Sequence, residues 1–278
     1  MRVRIKKALA AAAVFAVASA ATVVGVGGGG SAAAAATGLR AYGITANGRQ
    51  LLTFTTDMPE VVDWFRNVTG LSGDTFLIGI DFRVQDGKLY GVGNHGGIYT
   101  IAMPSAALTK VSQLSVPLHG TTFGVDFNPA ADRLRVDSDT GQNLRHNLND
   151  GVTTTDTALS ASGISGAAYT NNDLNGTTAT TLFVVNPHAD QVAIQSPANN
   201  GLIAPTGSLG VDAGAGVGFD IFSDLSGGRT GSNTAFAVFT PPTDTATLHG
   251  IDLLTGAATP IGEFPLMVGD IAVALDAG

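Results

Sequence analysis

A short strand motif, a glycine followed two residues later by an aspartate among apolar neighbours, recurs at nearly even spacing along the chain. Its clearest copies are residues 78–82, 123–127 and 217–221, and degenerate copies occur at 165–169 and 268–272. The intervals are 45, 42, 52 and 51 residues between the glycines, which are Gly79, Gly124, Gly166, Gly218 and Gly269. No helical periodicity intervenes, and a repeat of ~40–50 residues built from short β-rich runs is typical of β-propeller blades.

The number of strands indicates how many blades the repeat forms. Three further β-rich runs follow each of the first four copies, whereas the last copy contributes one strand, residues 271–275. The N-terminal part supplies three more, at residues 39–44, 50–54 and 61–68. We predict an all-β propeller of five four-stranded blades closed by pairing of the N- and C-terminal strands, because closure covers two sheet edges that would otherwise be exposed. Six blades and a β-sandwich with accidental repeats stay open as alternatives.

The N-terminal residues have the pattern of an export signal. A basic segment at residues 1–7 precedes an Ala-rich apolar run at 8–17 and a small-x-small site at 18–20. We predict a signal peptide at 1–20, a Gly/Ala-rich spacer at 21–38 and a single propeller domain at 39–278. The apolar run is too short to span a bilayer, so we expect a secreted or extracytoplasmic protein of the cell envelope with no membrane span after signal removal.

Charge and cysteine content exclude several kinds of partner and site. The chain has 22 acidic and 14 basic residues, a formal net charge of −8, and four of the basic residues lie in the predicted signal peptide. Nucleic-acid binding requires a basic face, so nucleic acid is not an expected partner of this acidic chain. The absence of cysteine excludes disulfides and thiolate metal sites.

A hairpin around Gly141 carries a candidate ligand-binding face. Side chains alternate between the two faces along each strand of the hairpin. The arginine, aspartate and asparagine side chains of both strands lie on the same face only if a bulge at Gly141 adds one residue to the loop. That register pairs Asp137 with Asn143 and Arg135 with Arg145. The predicted ligand-binding residues are Arg133, Arg135, Asp137, Asn143 and Arg145. The functional interpretation is recognition of an anion or a ligand carboxylate by the arginine forks. The alternative is a network that joins two blades.

The repeated aspartates form a candidate metal site. Asp81, Asp126 and Asp220 occupy the same position of three repeat copies, and Asp270 lies close to it in the fifth. The first strand of a blade lines the central channel, so these carboxylates would approach one another and favour a cation such as Ca²⁺. Without a cation their repulsion would raise some of their pKa values. The alternative is a structural role, in which each aspartate accepts backbone N–H groups or pairs with Arg83, Arg133 or Arg135.

Several short runs resemble a known family. They are residues 79–83, 90–91, 134–136, 139–145, 166–171 and 207–211. Together they resemble the secreted bacterial family catalogued as domain-of-unknown-function family 4394, over residues 41–275. The resemblance implies a propeller-like fold and an exported protein. It implies no established activity, so no catalytic residue is assigned.

The sequence leaves three functions open. The first is a secreted, monomeric, non-enzymatic propeller that binds a small molecule, a glycan or an envelope partner. The second is an extracellular hydrolase or lyase that uses carboxylates at the channel mouth, with or without a divalent cation. The third is a purely structural matrix component.

Overall fold

Twenty strands in five antiparallel sheets make up the fold of the computed structural model, which describes residues 38–241 and 245–277. The predicted signal peptide lies outside the described residues, as does the predicted spacer except for Gly38. None of the helical segments within the described residues has the length and apolarity needed to cross a bilayer.

The strands follow one another in chain order with short connections. They are β1 Arg40–Thr45, β2 Gln50–Thr55, β3 Trp64–Asn67, β4 Leu77–Arg83, β5 Lys88–Gly93, β6 Gly97–Ala102, β7 Ala107–Gln113, β8 Phe123–Asn128, β9 Arg133–Ser138, β10 Asn143–Asn147, β11 Val152–Thr155, β12 Gly166–Tyr169, β13 Leu182–Asn186, β14 Gln191–Gln195, β15 Ile203–Ser208, β16 Val217–Ser226, β17 Arg229–Phe239, β18 Thr247–Ile251, β19 Ala258–Glu263 and β20 Val268–Val273. A 3₁₀ turn at Ala198–Asn200 precedes β15.

The sheets form a ring of five blades. The first blade consists of β20, β1, β2 and β3, and the second to fifth blades follow as β4–β7, β8–β11, β12–β15 and β16–β19. The inner strands β4, β8, β12, β16 and β20 each contact the inner strands of both neighbouring blades. Antiparallel pairing of β1 with β20 closes the ring, with Tyr42 opposite Ala272. The five-bladed prediction is therefore confirmed, and the six-bladed and sandwich alternatives are wrong.

Four of the five interfaces between blades are hydrophobic. At these four interfaces both neighbouring blades contribute buried apolar side chains to a shared cluster. The fifth cluster, next to the third blade, consists of residues of the fourth blade together with Leu159 and Ile164 from the preceding connection. No residue of β8–β11 belongs to it. The interface between the third and fourth blades therefore differs from the others in having a polar face on one side.

Candidate functional site

A cavity of about 400 Å³ opens at the end of the central channel where the inner strands begin. We call it the funnel. Every blade contributes to its lining, which is apolar except for hydroxyl-bearing side chains, and none of the described lining residues is charged. The lining includes Thr45, Phe76, Ile78, Thr122, Phe123, Ser165, Val217, Thr240 and Met267. Such a lining suits an uncharged ligand because a buried ion would have no counter-charge there.

A cluster of buried carboxylates lies further along the same inner strands. Asp81, Asp126 and Asp220 each bring one carboxylate oxygen to within 4.8 Å of the other two. Each stands three residues beyond a funnel-lining residue of its strand, which corresponds to about 10 Å along the strand. The three side chains and that of Asp270 are buried. Among the described residues the predicted convergence is thus present for Asp81, Asp126 and Asp220, whereas Asp270 lies outside this group.

The aspartates also tie consecutive blades together. Each accepts a hydrogen bond from a backbone N–H of the next inner strand around the ring. The bonds are Phe127 N to Asp81 at 2.7 Å, Tyr169 N to Asp126 at 3.2 Å, Val273 N to Asp220 at 2.6 Å and Ile80 N to Asp270 at 2.8 Å. In the fourth blade the equivalent position is Ala168, so the fourth blade offers no carboxylate to the fifth. The aspartates therefore have the structural role that the repeat suggested, in addition to forming the carboxylate cluster.

The fifth repeat copy was aligned one residue too early from sequence. Asp220 bonds to the N–H of Val273, which makes Ala272 the equivalent of the repeated aspartate. Asp270 then stands where other copies have glycine, and a Cβ on Gly218 would lie 2.6 Å from the Asp270 Cα. From this different position, the Asp270 carboxylate still accepts a hydrogen bond from the second blade. The local Gly-Asp pair at 269–270 resembled the motif, but only packing between blades reveals the true register.

Burial and mutual repulsion raise the pKa values of these carboxyls. Burial is the main cause at Asp81 and Asp126, and repulsion by neighbouring aspartates of the cluster adds to it, so both pKa values lie well above the usual range. Burial raises the pKa of Asp220 to about 6 and raises that of Asp270 well above its usual range. A proton shared within the cluster or a bound cation would relieve this repulsion.

Calcium remains a prediction for this cluster. Oxygens that ligate one Ca²⁺ at 2.3–2.6 Å lie within about 5 Å of one another, so the observed spacing fits such an ion. Each carboxylate oxygen also has two lone pairs, so an accepted N–H bond leaves capacity for a metal.

We expect millimolar Ca²⁺ at pH 7.5 to raise the melting temperature by several degrees relative to excess chelator, because an ion bound only by the folded state stabilises it. The double variant Asp81→Asn, Asp126→Asn should lose this response. Asp57→Asn and Asp63→Asn, which alter aspartates outside the cluster, should keep it. Equal melting temperatures of the wild-type protein with Ca²⁺ and with chelator would contradict the prediction.

The polar hairpin has the predicted register. Asp137 pairs with Asn143 and Arg135 pairs with Arg145, and Gly141 has a φ of 88° in the bulged loop. Residues that lie opposite each other on β8 and β9 have their side chains on the same face of the sheet. The face that carries Arg135 and Asp137 packs against the fourth blade. The bulge prediction is confirmed.

Arg135 is the centre of a buried network between the third and fourth blades. Its guanidinium donates to Asp156 at 2.8 Å, to Asn199 at 2.7 Å, to the Tyr169 hydroxyl at 3.3 Å and to Asn143. Only 2% of the residue is exposed. Four of its five N–H groups thus donate to groups of both blades, as in the structural alternative that the sequence left open.

The other predicted hairpin residues divide into two groups. Arg145 joins the network by donating to both oxygens of Asp156, at 2.9 and 2.8 Å. Arg133 instead donates to the carbonyls of Ala131 and Asp132 beside it in the chain. The structure therefore brings together Arg135, Asp137, Asn143 and Arg145, and leaves Arg133 apart. Binding of an external ligand by these residues remains a prediction.

Asp137 is the least satisfied member of this network. It is fully buried, and neither carboxylate oxygen has a hydrogen-bond partner of normal geometry among the described residues. The Gln195 Oε1 is likewise unpaired within the described part of the chain. Burial outweighs the attraction of Arg135 and raises the pKa of Asp137 to about 7. A protonated Asp137 would have an O–H to donate, which an ionised carboxylate lacks.

Sequence reasoning missed the network residues outside the hairpin. Asp156, Tyr169 and Asn199 are 21, 34 and 64 residues from Arg135 in the chain, and no spacing rule connects them. The funnel was missed as well, although its signal is present in the repeat. The residue before the repeated glycine lines the funnel in the second to fifth blades.

The fold and these sites define the class of protein, a five-bladed β-propeller with an uncharged funnel and a buried carboxylate cluster along its channel. A family model described as a domain of unknown function, DUF4394, matches residues 50–272, and the chain belongs to this family. The resemblance recognised in the sequence is confirmed.

Solved structures share the fold at low sequence identity. A chain of a nidogen/laminin complex gives a TM-score of 0.52 at 9% identity, covering 85% of this chain and 98% of that chain. A protein of unknown function from Bacteroides thetaiotaomicron gives a TM-score of 0.53 at 15% identity, covering 88% and 67%. These similarities support the fold alone. No curated protein matches the sequence.

Proposed function

We propose that this protein is an exported binding module that takes a small, uncharged, largely apolar molecule into the funnel. The observation that carries the proposal is the uncharged cavity of about 400 Å³ bounded by all five blades. This volume lies within the range typical of small-molecule sites, which are concave, mostly apolar and largely pre-formed. The closed ring of inner strands provides a rigid frame for such a site.

Export is supported by the N-terminal sequence. Residues 1–20 combine a basic segment, a short apolar run and a small-x-small site. Expression of the full chain in a bacterial host, followed by fractionation and N-terminal sequencing, tests the proposal. Recovery outside the cytoplasm with cleavage near residue 20 is expected. Recovery of uncleaved cytoplasmic protein would contradict it.

The binding proposal predicts that filling the funnel abolishes binding. N-phenyl-1-naphthylamine is an uncharged, apolar fluorescent probe small enough for the cavity. We expect the wild-type protein to bind one equivalent, and Thr122→Trp to weaken binding at least ~10-fold by occupying the volume. A ~10-fold loss corresponds to about 1.4 kcal/mol. Fluorescence titration measures both affinities.

A matched control separates the funnel from the rest of the surface. Val152→Trp places the same side chain on the outer strand β11, where the valine is 55% exposed. It should leave the probe affinity unchanged. No binding by the wild-type protein, or equal affinities of the wild-type protein and Thr122→Trp, would contradict the proposal.

A second candidate is an extracellular hydrolase or lyase that uses the carboxylate cluster. The observation that favours it is the raised pKa of four neighbouring buried carboxyls, since carboxyls of raised pKa are suited to general acid catalysis. A panel of glycosides and lactones tests it. Turnover that is lost in Asp126→Asn would support this candidate, and the absence of turnover on the panel would count against it.

A further inference from the structure

One residue breaks the apolar ring at the base of the funnel. The position before the repeated glycine is Ile78 in the second blade, Phe123 in the third and Val217 in the fifth, and all three line the cavity. In the fourth blade the same position is Ser165, which also lines the cavity. The fourth blade therefore has a hydroxyl at the position where the second, third and fifth blades have an apolar side chain.

The Ser165 hydroxyl lacks a partner within the described part of the protein. The residue is 2% exposed, and its Oγ is buried without a hydrogen bond to any described group. Its backbone N–H is already used, because it donates to the carbonyl of Val185 at 3.1 Å. Buried hydroxyls are normally hydrogen-bonded, so an unpaired one at the wall of a cavity leaves bonding capacity for a molecule that enters the cavity, water included.

Three of the four other hydroxyls of the described funnel lining are engaged by the protein, and the fourth, that of the half-buried Thr122, has no hydrogen bond to a described group. Thr45 donates to Asn47 at 2.7 Å, Thr121 donates to Asp139 at 2.6 Å, and Thr240 donates to the carbonyl of Val268 at 3.2 Å. These bonds draw the three hydroxyl protons away from the cavity. Ser165 differs from these three in having no partner, and from Thr122 in that its unpaired hydroxyl is buried.

We propose that Ser165 Oγ orients the ligand by hydrogen bonding to a hydroxyl or carbonyl group, so that the funnel selects uncharged molecules with an apolar body and one polar end. This inference rests on the proposed binding function and adds the ligand class and the residue that recognises it. A purely apolar molecule would fill the same volume but would leave the hydroxyl unpaired.

A pair of probes of equal shape tests the proposal. 2-Naphthol carries a hydroxyl where 2-methylnaphthalene carries a methyl group, and both are uncharged at pH 6.5. We expect the wild-type protein to bind 2-naphthol about 10-fold more tightly, because one satisfied buried hydrogen bond contributes on this scale. Ser165→Ala should remove the preference while leaving the affinity for 2-methylnaphthalene unchanged. Competition with N-phenyl-1-naphthylamine measures all four affinities.

Controls keep the inference separate from the proposed function. Ser105→Ala removes an exposed turn hydroxyl of the second blade and should keep the wild-type preference. Ser165→Thr, which retains the hydroxyl, should also keep it. Failure of both probes to bind the wild-type protein would overturn the proposed function. Equal binding of the two probes by the wild-type protein would overturn the role of Ser165 and leave the funnel as a binding site, whatever the folding of the variants.

Discussion

Arg135→Ala is expected to lower the free energy of unfolding by about 3–5 kcal/mol, because removing one partner of a buried ion pair leaves the other charge uncompensated. Asp156 would keep only Arg145, and the amide oxygens of Asn143 and Asn199 would each lose a donor. Among the described residues, no hydrophobic cluster shared by the two blades compensates for the loss. Urea unfolding at constant pH measures the change.

Arg133→Ala is the matched control for this variant. It removes the same side chain from the same strand, but its hydrogen bonds go to neighbouring carbonyls and not to the fourth blade. We expect a loss of less than about 1 kcal/mol, as for most partly exposed charged residues. Equal losses for the two variants would contradict a central role for Arg135 between the blades. Arg135→Lys should be intermediate, because an ammonium cannot reproduce the planar fork of donors.

The stability of the metal-free protein is expected to fall as the pH rises from about 4.5 to 8. The folded state raises the pKa of Asp220 to about 6 and that of Asp137 to about 7, so it binds more protons than the unfolded chain across this window. Stability is then greatest near the unfolded pKa of about 4 and is lost as the pH rises through the folded values. One pKa unit corresponds to about 1.4 kcal/mol, so each of the two groups contributes on the order of 3–4 kcal/mol.

Buried histidines have the opposite effect on the pH dependence of stability, and their contribution must be separated from that of the carboxyls. Burial lowers the pKa values of His146 and His249, so their contribution to stability grows as the pH rises toward the unfolded value of about 6.5. Urea midpoints in excess chelator at pH 4.5, 6 and 7.5 should therefore be compared between the wild-type protein and the single variants Asp137→Asn and Asp220→Asn. In each variant, stability should fall less between pH 4.5 and pH 7.5 than it does in the wild-type protein. A pH dependence that is unchanged in both would show that these carboxyls titrate normally.

The parts of the structure that could be predicted are those encoded by local patterns. The glycine of each strand motif and the short β-rich runs between copies predicted five blades and their closure. The alternation of arginine with leucine and valine along β9 required a bulge at Gly141, because the polar face is coherent only in that register. Alternation and spacing are properties of neighbouring residues, so the sequence displays them directly.

The parts that escaped prediction depend on contacts between blades. The position of Asp270 in the fifth copy depends on its packing against Gly218, which is 52 residues earlier in the chain. The partners of Arg135 come from two connections and a neighbouring inner strand. The funnel depends on five separate strand ends that meet at the axis. The repeat aligns Ser165 with Ile78, Phe123 and Val217, but it does not reveal that this position faces a cavity.

The location of bound N-phenyl-1-naphthylamine in a crystal structure of its complex decides whether the funnel is the binding site. The proposed function predicts the probe inside the funnel, in contact with Phe123, Ser165 and Val217 and not with Arg135. A probe bound only on the outer face of the blades, or between the third and fourth blades beside Arg135, would contradict it.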